Sequence, residues 1–202
     1  MVFIFGYYLK NLPLKKTTEL YFKNSSEWRE WLDANHAICA GINLIFYKVD
    51  SIHESMRWEE AVQVALCYGW IDSTVRKIDD EKRKQQFGPR KDKSAWSKLN
   101  KSYIEKLHKE GLIHTSGYAK IATAKANGSW ESIDAVESLT IPEDLQQAFQ
   151  ENEIAYSNYL AFSPSYRKNY LYWLHQAKRE ATRQARISAI IDLCAQNIKS
   201  RP

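Results

Sequence analysis

A glycine set between a helix and a strand constrains this chain more than any other feature. Trp58, Ala61, Val62, Ala65 and Leu66 recur at helical spacing, and the run halts at Cys67, Tyr68 and Gly69. Glycine takes the left-handed backbone that closes helices, so the helix ends there. Trp70, Ile71, Asp72 and Ser73 then open a strand that carries a carboxylate, and Arg76, Lys77, Lys82, Arg83, Lys84, Arg90 and Lys91 follow. Asp79 to Lys82 is a polar turn. The stretch therefore predicts an antiparallel hairpin, Trp70 to Ile78 and Lys84 to Phe87, with a charged tip and a break at Gly88-Pro89.

Other elements fit around that hairpin. Glu19 to Lys23 has the aromatic content of a short strand, and Ile42 to Val49 is the strongest strand in the chain. Between them, Ser25-Ser26 offers a helix cap, and Trp28, Trp31 and Leu32 share one face. Ser55 offers the cap of the helix that ends at Gly69. After the hairpin, Ser94 or Ser97 caps a helix with Tyr103, Ile104 and Leu107 on one side, and a shorter helix runs from Ser116 to Asn127. Residues 129–140 read as a connection. Beyond Pro142, placed at N1, every periodic segment is helical, and Ser163-Pro164 opens a further helix. The spacing leaves open whether Lys178 to Thr182 continues that helix or breaks it. The expected fold is α+β: a small antiparallel sheet packed with helices, followed by a helical C-terminal region. Its expected parts are an N-terminal extension (1–18), an α+β core (19–140) and the helical region (141–202).

Composition narrows the function classes. A net charge of +5 and a pI near 9.0 favour acidic partners: an anionic small molecule or nucleic acid. Three cysteines, Cys39, Cys67 and Cys194, lie far apart with no CxxC, which points to buried reduced thiols rather than a zinc ribbon or a disulfide framework. The apolar start, MVFIFGYYL, lacks a basic lead and is too short to span a bilayer, so no stable membrane insertion is expected and the expected location is cytoplasmic. The five histidines show no metal spacing, and no phosphate loop, nucleophile elbow or dinucleotide fingerprint is present, so no cofactor is implied.

Three groups of side chains bear chemistry. Asp72 can pair with Arg90 across the hairpin and fix it, or act beside it as an acid or base. Arg90, Lys91 and Ser94, with the indoles of Trp70 and Trp96, suit a phosphate or carboxylate held at a helix start; a capped helix with a solvated basic lead-in is the alternative. Arg167, Lys178, Arg179, Arg183 and Arg186 place cations along C-terminal helices, where they meet either nucleic-acid phosphates or water. A hydrolase using Asp72 or His36 ranks last, because no nucleophile–base pair can be read.

Ordered pieces of the chain resemble the YdeI/OmpD-associated (OmdA) family, whose members are also labelled bacteriocin-protection proteins. They include Trp28 to Leu32, Trp58 to Val62, Ala65 to Ser73, Pro89 to Lys91, Ser94 to Ser97, Ala124 to Trp130, Ser163 to Arg167 and Ala177 to Arg179. The aromatic N-terminal extension departs from the family pattern, as does Gly88, where a small hydroxyl residue is usual. The resemblance implies a small α+β core with a helical tail and an association with bacteriocin or envelope-stress protection. It implies no particular reaction. The expectation is a non-enzymatic binding protein with an anionic ligand held by Trp70, Asp72, Arg90, Lys91, Ser94 and Trp96.

Overall fold

The structure, a computed structural model, describes residues 18–200. The N-terminal extension, apart from Thr18, lies outside the described residues. The chain divides into two compact units, one reaching to Ser94 and taking in Leu99–Ser129, the other made of Ala95–Lys98 and the chain from Trp130 onward.

The first unit is built on a four-stranded sheet. Its elements are β1 (Glu19–Tyr21), α1 (Ser25–Asn35), β2 (Ile42–Tyr47), α2 (Trp58–Cys67), β3 (Trp70–Lys77), β4 (Lys82–Pro89), α3 (Lys98–Lys109, whose first residue groups with the other unit) and α4 (Thr115–Ala126). The strand order is β1-β2-β4-β3. β4 pairs antiparallel with both β2 and β3, as the hairpin and the Ile42 strand require, whereas β1 joins β2 in parallel. The sheet is therefore mixed. The parallel pair follows from α1, which returns the chain to the starting end of β1 before β2 begins.

One sheet face carries the core. Ile42 and Leu44 lie opposite Phe87 and Gln85 of β4, and Trp28 of α1 packs edge-on to Phe87 and Trp70 at 5.9 and 6.3 Å between ring centroids. The Trp28 indole donates to the Ala61 carbonyl at 3.1 Å, tying α1 to α2. Trp28, Leu32, Leu66 and Phe87 are wholly buried, and each such side chain contributes about 1.5–3 kcal/mol by leaving water.

Local signals were read with small shifts. Asn24, not Ser25 or Ser26, caps α1 by accepting from the Glu27 N–H at 3.0 Å. α2 starts at Trp58 with Glu60 accepting from the Arg57 N–H, while the Ser55 hydroxyl accepts from the Tyr47 N–H instead. Gly69 closes α2 at φ +73 as expected. β4 runs through Gly88 to Pro89 because its pairing with β2 ends at Phe87, so the missing proline donor falls outside that ladder.

The second unit is helical: α5 (Asp134–Glu137), α6 (Glu143–Gln150), α7 (Glu153–Ala161), α8 (Pro164–His175) and α9 (Glu180–Ala195). α5 falls in the stretch read as a connection, and Pro142 caps α6 rather than entering it. Ser163-Pro164 opens α8 as read. The chain breaks between His175 and Glu180, which answers the question left at Lys178. Leu145, Phe149, Tyr159, Leu174, Ile190 and Cys194 form a core with essentially no exposure. Trp96 is buried in this unit, 4.9 Å from Trp130 between ring centroids.

Candidate functional site

A cleft of about 730 Å³ opens in the first unit where β2 ends, the hairpin turns and α2 begins. Register explains its lining. Phe46 pairs with Arg83, and Arg83 pairs with Lys77, so one row of the sheet's core-bearing face reads Phe46, Arg83, Lys77 across three strands. The residues ahead of α2 add Met56 and Arg57, and the first helical residue, Trp58, completes an apolar wall with Phe46 and Val75.

Charge around the opening is unbalanced. Lys48, Arg57, Lys77, Lys82 and Arg83 face only two carboxylates, Glu59 and Asp79. Lys77 pairs with Asp80 at the hairpin tip, and Lys82 lies 3.6 Å from Asp79. Among the described residues, Lys48, Arg57 and Arg83 have no carboxylate at ion-pair distance. The Arg83 guanidinium rests 5.7 Å from the Phe46 ring centroid, and the Lys82 ammonium sits at the same distance from Tyr47. Aromatic faces hold such cations without neutralising them, so the opening keeps a positive potential.

Beside the cleft, one carboxylate oxygen ties together two elements. Asp72 Oδ2 accepts from the Trp58 indole N–H at 2.9 Å and from the Gln85 side-chain amide. Gln85 is 3% exposed, and its carbonyl oxygen Oε1 has no hydrogen-bond partner among the described residues. Val75, its partner across β3, and Arg83, two residues before it on the same strand face, both line the cleft.

The residues expected to bind a ligand are placed in three environments. Trp70 is buried and donates its indole N–H to the His36 carbonyl at 3.2 Å. Arg90 is 3% exposed; burial pulls its guanidinium down to about 10, with the negative charge of Asp72 acting in the opposite direction. The charge of Asp72 thus acts on Arg90. Lys91 is exposed and Ser94 half-buried on the turn after β4, where the Ser94 N–H donates to the Lys91 carbonyl. Trp96 belongs to the second unit.

The cleft residues Arg57 and Arg83, and the buried Gln85 on the same strand face as Arg83, were missed as a group. A signal for them existed: strand alternation puts Arg83 and Gln85 on the face of Phe87, and polar side chains on a core face mark a site or a satisfied network.

Of the C-terminal cations, two are engaged within the second unit. Arg183 makes a two-pronged contact with Asp144, its Nη2 lying 2.8 Å from Oδ1, and this neighbour holds the Asp144 carboxyl below its ordinary range. Arg186 donates to the Trp173 carbonyl at 2.5 Å and lies 5.1 Å from that indole's centroid. Lys178 and Arg179 are exposed between α8 and α9, and Arg167 is half-buried on α8.

His36, Tyr68 and His114 cluster, with the two imidazoles 4.8 Å apart and the Tyr68 hydroxyl donating to Asp33 at 2.7 Å. Cys67 is wholly buried beside them, and burial pushes its thiol up, although Arg29 lies at 3.4 Å and favours the thiolate. Such a thiol is protonated near neutrality. Among the described residues, no group of three or more His, Cys, Asp and Glu side chains is arranged to hold a metal. No described helix is long and apolar enough to cross a membrane.

These features define an α+β protein with a basic, aromatic-walled cleft in one unit and a helical second unit. The chain belongs to the family described as a domain of unknown function (DUF8412), which matches residues 20–120 of 202, half its length. Residues 138–197 match the family described as bacteriocin-protection, YdeI or OmpD-associated. The first match lies in the first unit apart from Ala95–Lys98, and the second lies in the second unit. The YdeI/OmpD-associated resemblance read along most of the chain is thus shown for its helical tail. No curated protein and no solved structure matches the chain.

Proposed function

We propose that this is a non-enzymatic binding protein of the YdeI/OmpD-associated type that takes an anionic ligand in the cleft between α2 and the β3–β4 hairpin. The observation that carries the reading is the cation surplus there: Arg57 and Arg83 stand beside an apolar wall of Phe46, Trp58 and Val75 with no carboxylate at ion-pair distance among the described residues. A guanidinium pair prefers phosphate or carboxylate, and the wall gives the rest of a small molecule an apolar surface. A volume of about 730 Å³ suits a small organic anion. The match of residues 138–197 to the bacteriocin-protection, YdeI or OmpD-associated family supports an association with bacteriocin or envelope-stress protection, which leaves the ligand open.

Titration calorimetry and thermal unfolding with phosphate, pyrophosphate, citrate and phenyl phosphate test the reading. A ligand at one hundred times its Kd stabilises by about 2.7 kcal/mol, which raises Tm by several degrees. Arg57→Glu and Arg83→Glu, both at exposed positions, are expected to abolish that shift while leaving the unliganded Tm within about two degrees of wild type. If no anion binds at millimolar concentration, the proposal fails.

A further inference from the structure

We infer that His36 and His114 form an acid-sensitive latch, in which protonation of His114 releases the start of α4 from the end of α2. The two imidazoles stand 4.8 Å apart between ring centroids, where α1 ends and α4 begins. This seam lies apart from the cleft, whose lining includes none of its residues.

The ring nitrogens of the pair hold opposite roles. His36 is the C-cap of α1, and its Nδ1 lies 2.8 Å from the Leu32 carbonyl oxygen. A carbonyl only accepts, so this Nδ1 carries the proton and Nε2 is the free basic atom. His114 is the N-cap of α4, and its Nδ1 accepts from the Ser116 backbone N–H at 3.2 Å. An amide N–H only donates, so this Nδ1 is bare and the neutral ring carries its proton on Nε2. Turning the ring over would put a carbon where the amide needs an acceptor. A proton added to His36 therefore goes to Nε2 and leaves its hydrogen bond intact. A proton added to His114 goes to Nδ1, the atom that caps the helix.

Protonated His114 opposes the folded arrangement in three ways. The Ser116 N–H loses its acceptor, since the charged Nδ1–H is left to donate to the Ser116 hydroxyl, 2.9 Å away. A cation stands at the positive end of the α4 dipole, whereas the same charge on His36 meets the negative end of α1. A second imidazolium also lies beside the first. The seam under load is short: the His114 N–H donates to the Cys67 carbonyl at 3.0 Å, and the Ser116 hydroxyl donates to the Tyr68 carbonyl at 3.1 Å.

Neighbouring groups do little to offset that charge. Tyr68 stacks on His114 at 5.2 Å and its ring face favours a cation, but its hydroxyl is tied to Asp33 of α1. Arg29 of α1 lies 5.8 Å from the same ring and adds positive charge. Cys67 is held protonated by burial, and Glu110, just after α3, acts on that thiol. His108 of α3 bonds the Tyr118 hydroxyl, and Lys120 of α4 pairs with Asp92. Among the described residues, neither imidazole of the pair has a carboxylate at ion-pair distance.

Amide hydrogen exchange on the whole protein between about pH 8 and about pH 5, the range in which histidine changes charge, reads the latch. After correction for the intrinsic pH dependence of exchange, protection of the amides from His114 to Tyr118 is expected to fall by up to about tenfold per pH unit on the acid side, one proton being taken up on opening. Core amides such as those of Leu44 and Leu66 should change less. His114→Asn keeps a capping acceptor that does not titrate and should flatten the fall. His36→Gln removes only the neighbouring charge and should keep it. No fall in the wild type, or an equal fall in His114→Asn, overturns the inference. Imidazole nitrogen NMR of the wild type needs no variant to fold: at neutral pH His114 should carry its proton on Nε2 and His36 on Nδ1. A neutral His114 with its proton on Nδ1 also overturns the inference.

Discussion

Trp58 and Asp72 are joined by a 2.9 Å hydrogen bond from the indole N–H to Oδ2, and this bond fastens the first residue of α2 to β3. The same oxygen accepts from Gln85, and the charge also acts on the buried Arg90. Three partners therefore depend on one carboxylate.

Asp72→Ala is expected to destabilise the protein by about 2–3 kcal/mol, since a charged acceptor is lost and two donors are left without a partner. Asp72→Asn keeps one acceptor and should lose less. Urea unfolding monitored by tryptophan fluorescence measures both. A change within about 0.5 kcal/mol, the range of ordinary surface substitutions, would show that the bond contributes nothing.

Gly117 on α4 approaches α2 closely: a Cβ there would stand 2.3 Å from the Cys67 carbonyl oxygen. The neighbouring His114 N–H donates to that same carbonyl at 3.0 Å, and the Ser116 hydroxyl donates to the Tyr68 carbonyl. The start of α4 thus satisfies the last carbonyls of α2. Gly117→Ala must push backbone from backbone, with an expected loss of about 1–3 kcal/mol despite alanine's better helix propensity. Chemical denaturation of the variant decides it; a neutral or stabilising result would mean that the two helices separate freely.

What was legible in the sequence is what is encoded locally. Gly69, Ser163-Pro164 and the alternation around Trp70 each fix a boundary within a few residues. The parallel placement of β1 was not legible, because ELYFK states strand propensity without direction, and direction comes from α1 crossing between β1 and β2. The cleft was hidden for a different reason. Arg83 sits between Lys82 and Lys84, and three consecutive cations look like a solvated tip; pairing with Phe46 is what turns one of them to the core-bearing face. Trp96 lies six residues after Arg90 yet groups with Trp130, since a chain crossing between units leaves no local mark.

Alkaline pH should weaken the fold through its thiols and phenols. Burial raises Cys39 and Cys67 and pushes Cys194 up to about 12 from 9.0, and it raises Tyr68 and Tyr159 from 10.0 to about 12. For Tyr68, the hydrogen bond to Asp33 adds to the effect of burial. Each folded value lies above its unfolded one, so the folded chain keeps protons that the unfolded chain releases. Their contribution is complete below pH 9.0, the first unfolded value, and is lost as pH rises toward about 12. At about pH 10, a thiol ionised only in the unfolded chain lowers stability by roughly 1 kcal/mol. Urea unfolding at intervals from about pH 8 to about pH 11 should show this decline, with a shallower slope in Cys194→Ala. A flat profile would contradict the assignment.

Arg183 offers the clearest separation between a structural and a nucleic-acid role for the C-terminal cations. It grips Asp144 through two nitrogens, joining α9 to the first turn of α6, and both side chains are partly shielded, at 25% and 32% exposure. Exposed pairs are worth little, whereas a forked, partly shielded one reaches about 1 kcal/mol. A double-mutant cycle of Arg183→Ala and Asp144→Ala should return a coupling of that size, weakened by high salt. Arg179→Ala, at an exposed position between helices, should leave stability unchanged. If instead Arg183→Ala leaves stability intact and removes salt-dependent affinity for single-stranded DNA, this helix face binds phosphates and the pair with Asp144 is incidental.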